Sequence, residues 1–185
     1  AAGFRAAAML PIFGRGAEEA DALTQAGLPF RIVPGVTAAI AAGAFAGIPL
    51  TDRRYASCVA FITGHEDPGK DESSLNFQAL AGVDTLVFYM GVGNLPGIAE
   101  RLIAAGRDGQ TPVAIVANAT RPNQRTLVAT LATAAAEAER AGLKPPAVLI
   151  VGQVVRLRER LAWVERLPLF GQTVLVTRTR QQASQ

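Results

Sequence analysis

At residues 85–93 the chain reads TLVFYMGVG, an unbroken apolar run that ends in two glycines. Such a run predicts a buried strand over Thr85–Met90, followed by a turn. The helical spacing of Leu95–Ala105 comes next, and Gly106 ends it as a helix-stop glycine does. A buried strand, a glycine turn and a helix in succession are the repeating unit of an α/β protein.

The same alternation extends along most of the chain in both directions. Further strands are predicted at Phe30–Val33, Val59–Thr63, Pro112–Ala117, Arg125–Ala129, Ala147–Val151 and Thr173–Thr177. Further helices are predicted at Glu18–Ala26, Ala38–Ala46 with Thr37 as cap, Phe77–Ala81, Ala132–Ala141 and Val155–Trp163, with stops at Gly27, Gly47 and Gly142. We therefore expect an α/β protein with a mixed or mostly parallel sheet.

Composition narrows the class of protein. Half of the 185 residues are hydrophobic and 18% are charged, which is enough apolar material for a core and argues against disorder. The net charge of +3 suits an anionic small substrate; without an aromatic-interleaved basic stripe, no nucleic-acid partner is expected. Prolines and glycines interrupt the longest apolar stretch, Ile32–Leu50, so no membrane span is expected either.

Cysteine and histidine each occur once. Cys58 excludes an internal disulfide, is consistent with a reducing cytoplasm, and is predicted to be a small core residue. His65 follows a predicted strand and suits either acid–base chemistry or a structural loop role. With a single histidine, no metal site is expected.

Three loops that follow apolar segments are candidates for ligand binding. They are Val33–Thr37, Tyr89–Gly93 and Val116–Thr120. Ligands of open α/β sheets bind at the carboxyl ends of strands, and these loops combine small residues with hydroxyls and the Met90 thioether, as a nucleoside pocket requires. Ordinary turns remain the alternative. Pro96 stands where a dinucleotide fingerprint has its third glycine, which argues against a nicotinamide cofactor.

Arg15, Glu18 and Arg53 flank turns beside apolar segments. Arginines in such places bind substrate carboxylates through forked hydrogen bonds, or form surface salt bridges. Their spacing does not distinguish the two roles.

Taken in order, several segments resemble the uroporphyrinogen-III C-methyltransferase branch of the tetrapyrrole methylases. The motifs that carry the resemblance lie between residues 11 and 164, namely FGRGAEE at 13–19, VPGVTAA at 33–39, GIPLTDR at 47–53, TGH at 63–65, TLVFYMGV at 85–92, PVAIVANAT at 112–120, QR at 124–125 and IVGQVV at 150–155. Each motif is weak alone, and the ordered set is specific.

The resemblance implies an S-adenosylmethionine-dependent enzyme with two α/β domains and a cofactor cleft between them. It implies methyl transfer to C2 and C7 of uroporphyrinogen III, giving precorrin-2 for sirohaem and cobalamin, with S-adenosylhomocysteine as the second product. It further implies a cytoplasmic homodimer. A later corrin-ring methyltransferase and a non-catalytic dimerisation module remain alternatives.

Site residues follow by position in the motifs. The resemblance assigns the cofactor contacts to Ile12, Thr37, Ala38, Met90 and Ala119. It assigns substrate binding to Arg15, Glu18 and Arg53, with Arg15 as the candidate catalytic residue.

The sequence departs from the family pattern near its beginning. Residues 6–10 read AAAML where the family has a Lys-Gly-Gly-Asp-Pro run, and Asp52 replaces a histidine. The glycine-rich first loop and the main acid–base residues are expected upstream of Ala1, so the chain is interpreted as a fragment. These departures predict weakened cofactor binding and leave open whether the chain is active alone.

The resemblance also divides the chain. Residues 1–50 correspond to the end of a first methylase domain and residues 51–165 to a complete second domain. Residues 166–185 form a linker and a first strand, and FGQTVLVTR at 170–178 resembles the opening of uroporphyrinogen-III synthase. We therefore expect a methylase fused to a synthase.

Overall fold

The computed structural model describes residues 12–64 and 75–175. Within these ranges the helices are α1 (Gly16–Gln25), α2 (Ala38–Ala46), α3 (Phe77–Ala81), α4 (Leu95–Ala104), α5 (Ala134–Arg140) and α6 (Arg158–Leu161). The strands are β1 (Val59–Thr63), β2 (Thr85–Tyr89), β3 (Pro112–Ala117), β4 (Arg125–Thr130) and β5 (Ala147–Val151). Three 3₁₀ turns lie at Val92–Asn94, Gln153–Leu157 and Val164–Arg166.

The strands form one mixed sheet in the order β1-β2-β5-β3-β4. Only β1 and β2 pair in parallel; β5 lies antiparallel to both β2 and β3, and β4 antiparallel to β3. The prediction of a mixed α/β sheet is confirmed, and the mostly parallel alternative is wrong. Because β5 enters between β2 and β3 from the opposite direction, β1, β2 and β3 all run the same way.

The two faces of the sheet carry different cores. On one face, side chains of the central strands such as Phe88 and Leu149 pack with Leu102 of α4 and Ala134 of α5. On the other face, Ala39, Ala42 and Ala46 of α2 pack against the sheet. The buried positions of α2 are alanine or glycine, and these small side chains let the helix lie close to the strands, as its alanine-rich sequence predicts.

Glycines end the helices as predicted. Gly27, Gly47, Gly106 and Gly142 all have positive φ angles. Gly47 illustrates the reason, because its φ of 68° favours glycine and an added Cβ would collide with the backbone of Leu161.

Three predicted elements differ from the structure. Phe30–Val33 forms no strand, and Val33 is 60% exposed, because no described strand pairs with this segment. The predicted helix Val155–Trp163 is divided between the end of a 3₁₀ turn and the short α6, and its last two residues are not helical. Residues 173–175 are irregular, and the rest of the predicted strand Thr173–Thr177 lies outside the described residues.

Cys58 is exposed, and its prediction as a core residue is wrong. It lies just before β1, where the chain enters the sheet, and its thiol donates to Asp84 Oδ2 at 3.5 Å. Its position immediately before the first residue of β1 leaves it exposed, although its side chain is small enough for the core.

None of the helices in the described ranges is long and apolar enough to cross a membrane.

Candidate ligand site at the edge of the sheet

The strand order creates a cavity at one edge of the sheet. Because β2 and β3 run in the same direction with β5 between them, their carboxyl ends flank the start of β5. A cavity of about 730 Å³ opens there, within the size range of small-molecule sites. Its lining comes from the ends of these three strands, the start of α2 and the segment before α1, and consists of Ile12, Phe13, Ala38, Tyr89, Met90, Val92, Gly93, Val116, Asn118, Ala119, Thr120, Arg121, Pro145, Pro146, Ala147 and Val148.

Tyr89 fixes the start of α2 against the end of β2. Its hydroxyl lies 2.5 Å from Thr37 Oγ1 and accepts the Ala39 N–H at 3.3 Å. Its ring packs against Phe13, with centroids 5.2 Å apart. Thr37 therefore begins the helix as predicted, although its hydroxyl binds Tyr89 rather than capping a helical N–H.

Backbone strain concentrates around this cavity. Five described non-glycine residues have positive φ angles, and four of them line the cavity: Phe13 at 52°, Met90 at 55°, Asn118 at 50° and Thr120 at 69°. The fifth is Arg15 at 57°. Such conformations cost roughly 1–3 kcal/mol each and cluster at functional sites, where the surrounding structure enforces them. The cavity is thus a candidate site on backbone grounds alone.

Two hydrogen bonds hold the strained loop that follows β3. The Asn118 N–H donates to the Pro146 carbonyl at 3.0 Å, and the Thr120 N–H donates to Gln124 Oε1 at 2.9 Å. The loop is therefore tied both to the segment before β5 and to the first turn leading into β4.

The structure brings most of the predicted cofactor residues together. Ile12, Ala38, Met90 and Ala119 all line the cavity, and Thr37 is bound to its Tyr89 wall. The four lining positions come from four separate parts of the chain.

The predicted substrate residues lie outside the lining. Arg15 Nε donates to Glu18 Oε2 at 2.7 Å, and this hydrogen bond raises the pKa of Arg15 above its usual value. Arg53 is exposed, and no hydrogen bond or ion pair in the described part of the chain joins it to Arg15 or Glu18. The neighbouring Asp52 instead binds Arg54, whose guanidinium lowers the pKa of that carboxyl.

Two sequence features that bear on function lie outside the described residues. They are His65 and the stretch AAAML at residues 6–10.

Sequence reasoning gave Tyr89 and Gln124 no role of their own, although Tyr89 opens a predicted candidate loop and Gln124 stands in a family motif. A tyrosine that closes an otherwise aliphatic and phenylalanine-containing strand is a usable signal, because its hydroxyl needs a partner once the ring is buried. Gln124 carried a weaker signal, since it stands in a turn among residues that are otherwise exposed. Pro145 and Pro146 were missed as lining residues, whereas Asn118 lies in the predicted candidate loop Val116–Thr120.

A cavity with apolar walls and strained loops at the carboxyl edge of a sheet defines a small-molecule-binding α/β domain. Residues 11–135 match the family described as Tetrapyrrole (Corrin/Porphyrin) Methylases, and the chain belongs to this family.

Two curated relatives are close in sequence. A siroheme synthase of Stutzerimonas stutzeri is 49% identical over 160 residues, covering 86% of this chain and 34% of that protein. A uroporphyrinogen-III C-methyltransferase of Sinorhizobium sp is 47% identical over 157 residues, covering 84% of this chain and 56% of that protein. The chain thus spans between about a third and just over half of the length of these relatives.

Solved structures share the fold. The uroporphyrin-III C-methyl transferase of Thermus thermophilus complexed with S-adenyl homocysteine is 37% identical, with a TM-score of 0.70 over 81% of this chain and 64% of that chain. A cobalt precorrin-4 methyltransferase reaches a TM-score of 0.72 at 23% identity, which is a likeness of fold alone.

Proposed function

We propose that this chain is part of an S-adenosylmethionine-dependent uroporphyrinogen-III C-methyltransferase that methylates C2 and C7 and forms precorrin-2, for sirohaem and cobalamin. The observation that carries the proposal is the single cavity at the carboxyl edge of the sheet, lined by Ile12, Ala38, Met90 and Ala119. The relatives named above support the choice of substrate and cofactor.

The residues of the cavity fit an adenosyl group. Ile12, Val116 and Ala119 offer apolar walls for a purine, and Ala38 leaves room at the start of α2. The Met90 side chain is 53% exposed, so it is free to cover a ligand. The loops with positive φ turn backbone groups out of the sheet, and apart from the Asn118 and Thr120 N–H groups, which are bonded within the protein, these can bind the polar edge of a base.

The bound cofactor would supply a methyl group on a positively charged sulfur that leaves as a neutral thioether. The cavity residues would orient that group towards the pyrrole carbon and exclude water from it. Positioning of this kind lowers the barrier by removing the entropy cost of bringing two reactants together.

The substrate carries eight carboxylates, and arginines are suited to hold them. We assign this role to Arg15 and Arg53, with Glu18 orienting the Arg15 guanidinium through the hydrogen bond described above. Arg15 is two residues from Phe13 in the cavity wall, which makes it the candidate to act next to the reacting carbon. Arg121 is exposed in the lining and can take part in the same task.

The same proposal covers the organisation of the protein. Residues 1–50 would belong to a first methylase domain, residues 51–165 to a second, and residues 166–185 to the start of a uroporphyrinogen-III synthase domain. The enzyme would act in the cytoplasm as a homodimer, which sedimentation velocity measurements can test.

Titration calorimetry with S-adenosylhomocysteine tests the cofactor site. Ala38→Leu places a larger side chain at the cavity wall, so we expect affinity to fall by about tenfold or more. The matched control is Ala136→Leu, at an exposed position of α5 outside the cavity, which should leave affinity unchanged. An unaltered protein that gives no heat at millimolar ligand would refute the proposal.

A further inference from the structure

Gln124 lies outside the cavity but contacts three parts of the chain. It is 3% exposed, one of three buried polar residues in the described ranges. Its Oε1 accepts the Thr120 N–H at 2.9 Å, while its Nε2 donates to the Phe45 carbonyl at 3.3 Å and to Glu165 Oε1 at 3.4 Å. Because an amide has one acceptor end and one donor end, these contacts fix both ends at once.

The donor end of Gln124 belongs to a set of side chains that satisfy the end of α2. Helix ends leave carbonyls without partners inside the helix. Here the Ala44 carbonyl accepts from Trp163 Nε1 at 3.0 Å, the Phe45 carbonyl from Gln124, and the Ala46 carbonyl from Arg158 Nη1 at 2.5 Å. The far end of α2 is therefore held by three side chains from later in the sequence.

The acceptor end of Gln124 holds the cavity loop. Thr120 has a φ of 69°, and for a β-branched residue this is a strained conformation that surrounding contacts must enforce. Its N–H is bound by Gln124, and its neighbour Ala119 lines the cavity with it. A loop released from this bond would be free to relax away from the strained geometry.

We propose that Gln124 is a positioning residue that sets the distance between the loop at residues 118–121 and α2, and thereby the shape of the cofactor cavity. The start of α2 contributes Ala38 to the wall of the cavity, and the loop contributes Ala119 and Thr120. Gln124 is the side chain that binds both elements directly. The link from this geometry to methyl transfer rests on the function proposed above.

Gln124→Leu removes the hydrogen bonds at both ends of the amide while keeping a similar side-chain size. We expect the affinity for S-adenosylhomocysteine, measured by calorimetry on the full chain, to fall by about tenfold. We also expect the Thr120 amide to exchange its hydrogen faster, which hydrogen-exchange mass spectrometry or NMR reads without any ligand.

Arg158→Met is the control for a purely structural role. It breaks the bonds to Ala46 and Glu165 but leaves the Thr120 bond to Gln124 in place. It should lower stability while changing ligand affinity less than about twofold, with slow exchange retained at Thr120.

Gln124→Glu keeps the hydrogen bond from Thr120 and removes the one to Phe45, and it serves as a second variant if the leucine variant folds poorly. Its carboxylate can still accept from the Thr120 N–H, but it cannot donate to the Phe45 carbonyl, and it lies against Glu165. Burial raises the pKa of Glu165, but the hydrogen bond from Arg158 lowers it, and the pKa lies below its usual value. Affinity should therefore fall about as far as in the leucine variant while slow exchange is kept at Thr120, because the loop stays bound to residue 124 but its link to α2 is lost.

The outcomes separate the two proposals. If the unaltered protein binds S-adenosylhomocysteine and Gln124→Leu binds it equally well, Gln124 does not position the cavity. Equal affinity losses in the leucine and Arg158→Met variants would overturn it too, because they would reflect stability alone. If the unaltered protein does not bind, the proposed function fails, whereas unchanged exchange at Thr120 refutes the positioning role separately.

Discussion

Phe88 and Met90 are two residues apart, yet they belong to two different regions of the molecule. Phe88 is fully buried in the middle of β2, at 0% exposure. Met90 follows the strand, is 53% exposed, and has a φ of 55°. The residues of the described strands have ordinary backbone conformations, whereas four residues that line the cavity have positive φ angles.

The difference shows which part of the sequence serves stability and which part serves binding. Buried strands are built from apolar residues in ordinary conformations, so their contacts all favour the fold. The cavity edge leaves Ile12, Phe13 and Met90 partly exposed and places strained residues around them. Proteins keep exposed apolar side chains and strained residues of this kind mainly at binding sites. The two regions should therefore respond differently to substitution.

Phe88→Ala should give the largest effect on stability. The ring is fully buried in the core shared with α4 and α5, so its loss leaves a cavity and should cost about 3–5 kcal/mol of unfolding free energy. Urea denaturation measures this loss. Val128→Ala, at a half-exposed position of the edge strand β4, is the control and should cost about 1 kcal/mol or less. Similar losses at both positions would contradict the contrast between interior and edge.

Met90→Ala should have the opposite effect to Phe88→Ala, because it should lower ligand affinity and leave stability nearly unchanged. Alanine has the same Cβ, so the backbone strain is unaltered, and the exposed side chain makes a small contribution to stability, of about 1 kcal/mol or less. The affinity for S-adenosylhomocysteine should fall by about tenfold, because the thioether side chain would cover the ligand. Ile103→Ala, on the exposed side of α4, should leave affinity unchanged. A large loss of stability without loss of affinity at Met90 would assign this residue to the core instead.

The bounds of the five strands were predictable from sequence to within a residue, and the cavity edge was predictable only in part. The bounds of β1, β3 and β5 follow from apolar runs, because strands that pack against the core consist mainly of apolar residues. The antiparallel entry of β5 was missed, since a short buried strand carries no sign of its direction. Phe30–Val33 shows the reverse error: strand-like residues form a strand only where another strand pairs with them.

The contacts that shape the cavity depend on residues far apart in the chain. Thr37 and Tyr89 are 52 residues apart, and Gln124 and Phe45 are 79 residues apart. No local pattern reports such pairings. Family resemblance found the cavity residues Ile12, Ala38, Met90 and Ala119, and physical reasoning on the sequence alone found only that the loops after the strands were candidates.

The opposite edge of the sheet extends the comparison, because the carboxylate of Asp84 organises it. Asp84 lies just before β2, and its Oδ2 accepts the Ser57 N–H at 2.7 Å and the Cys58 N–H at 3.2 Å at the entrance to β1. It thus joins the starts of the two parallel strands. The hydrogen bonds from Ser57 and then from Cys58 favour the ionised form and hold the pKa of Asp84 below its usual value of 3.8.

The smallest expected effect is the change in stability of the Asp84→Asn variant, and it depends on pH. A folded-state pKa below the unfolded value means that the stabilisation is fully present above 3.8 and is lost as the pH falls through the lowered pKa. Asp84→Asn should therefore be less stable than the unaltered protein at neutral pH, and the gap should narrow in acid. Urea denaturation of both proteins across this pH range measures the gap, and the difference between them cancels the titration of other carboxylates. The affinity for S-adenosylhomocysteine should not change, because Asp84 lies away from the cavity lining. A stability gap that stays constant with pH would show that the charge of Asp84 does not stabilise this edge of the sheet.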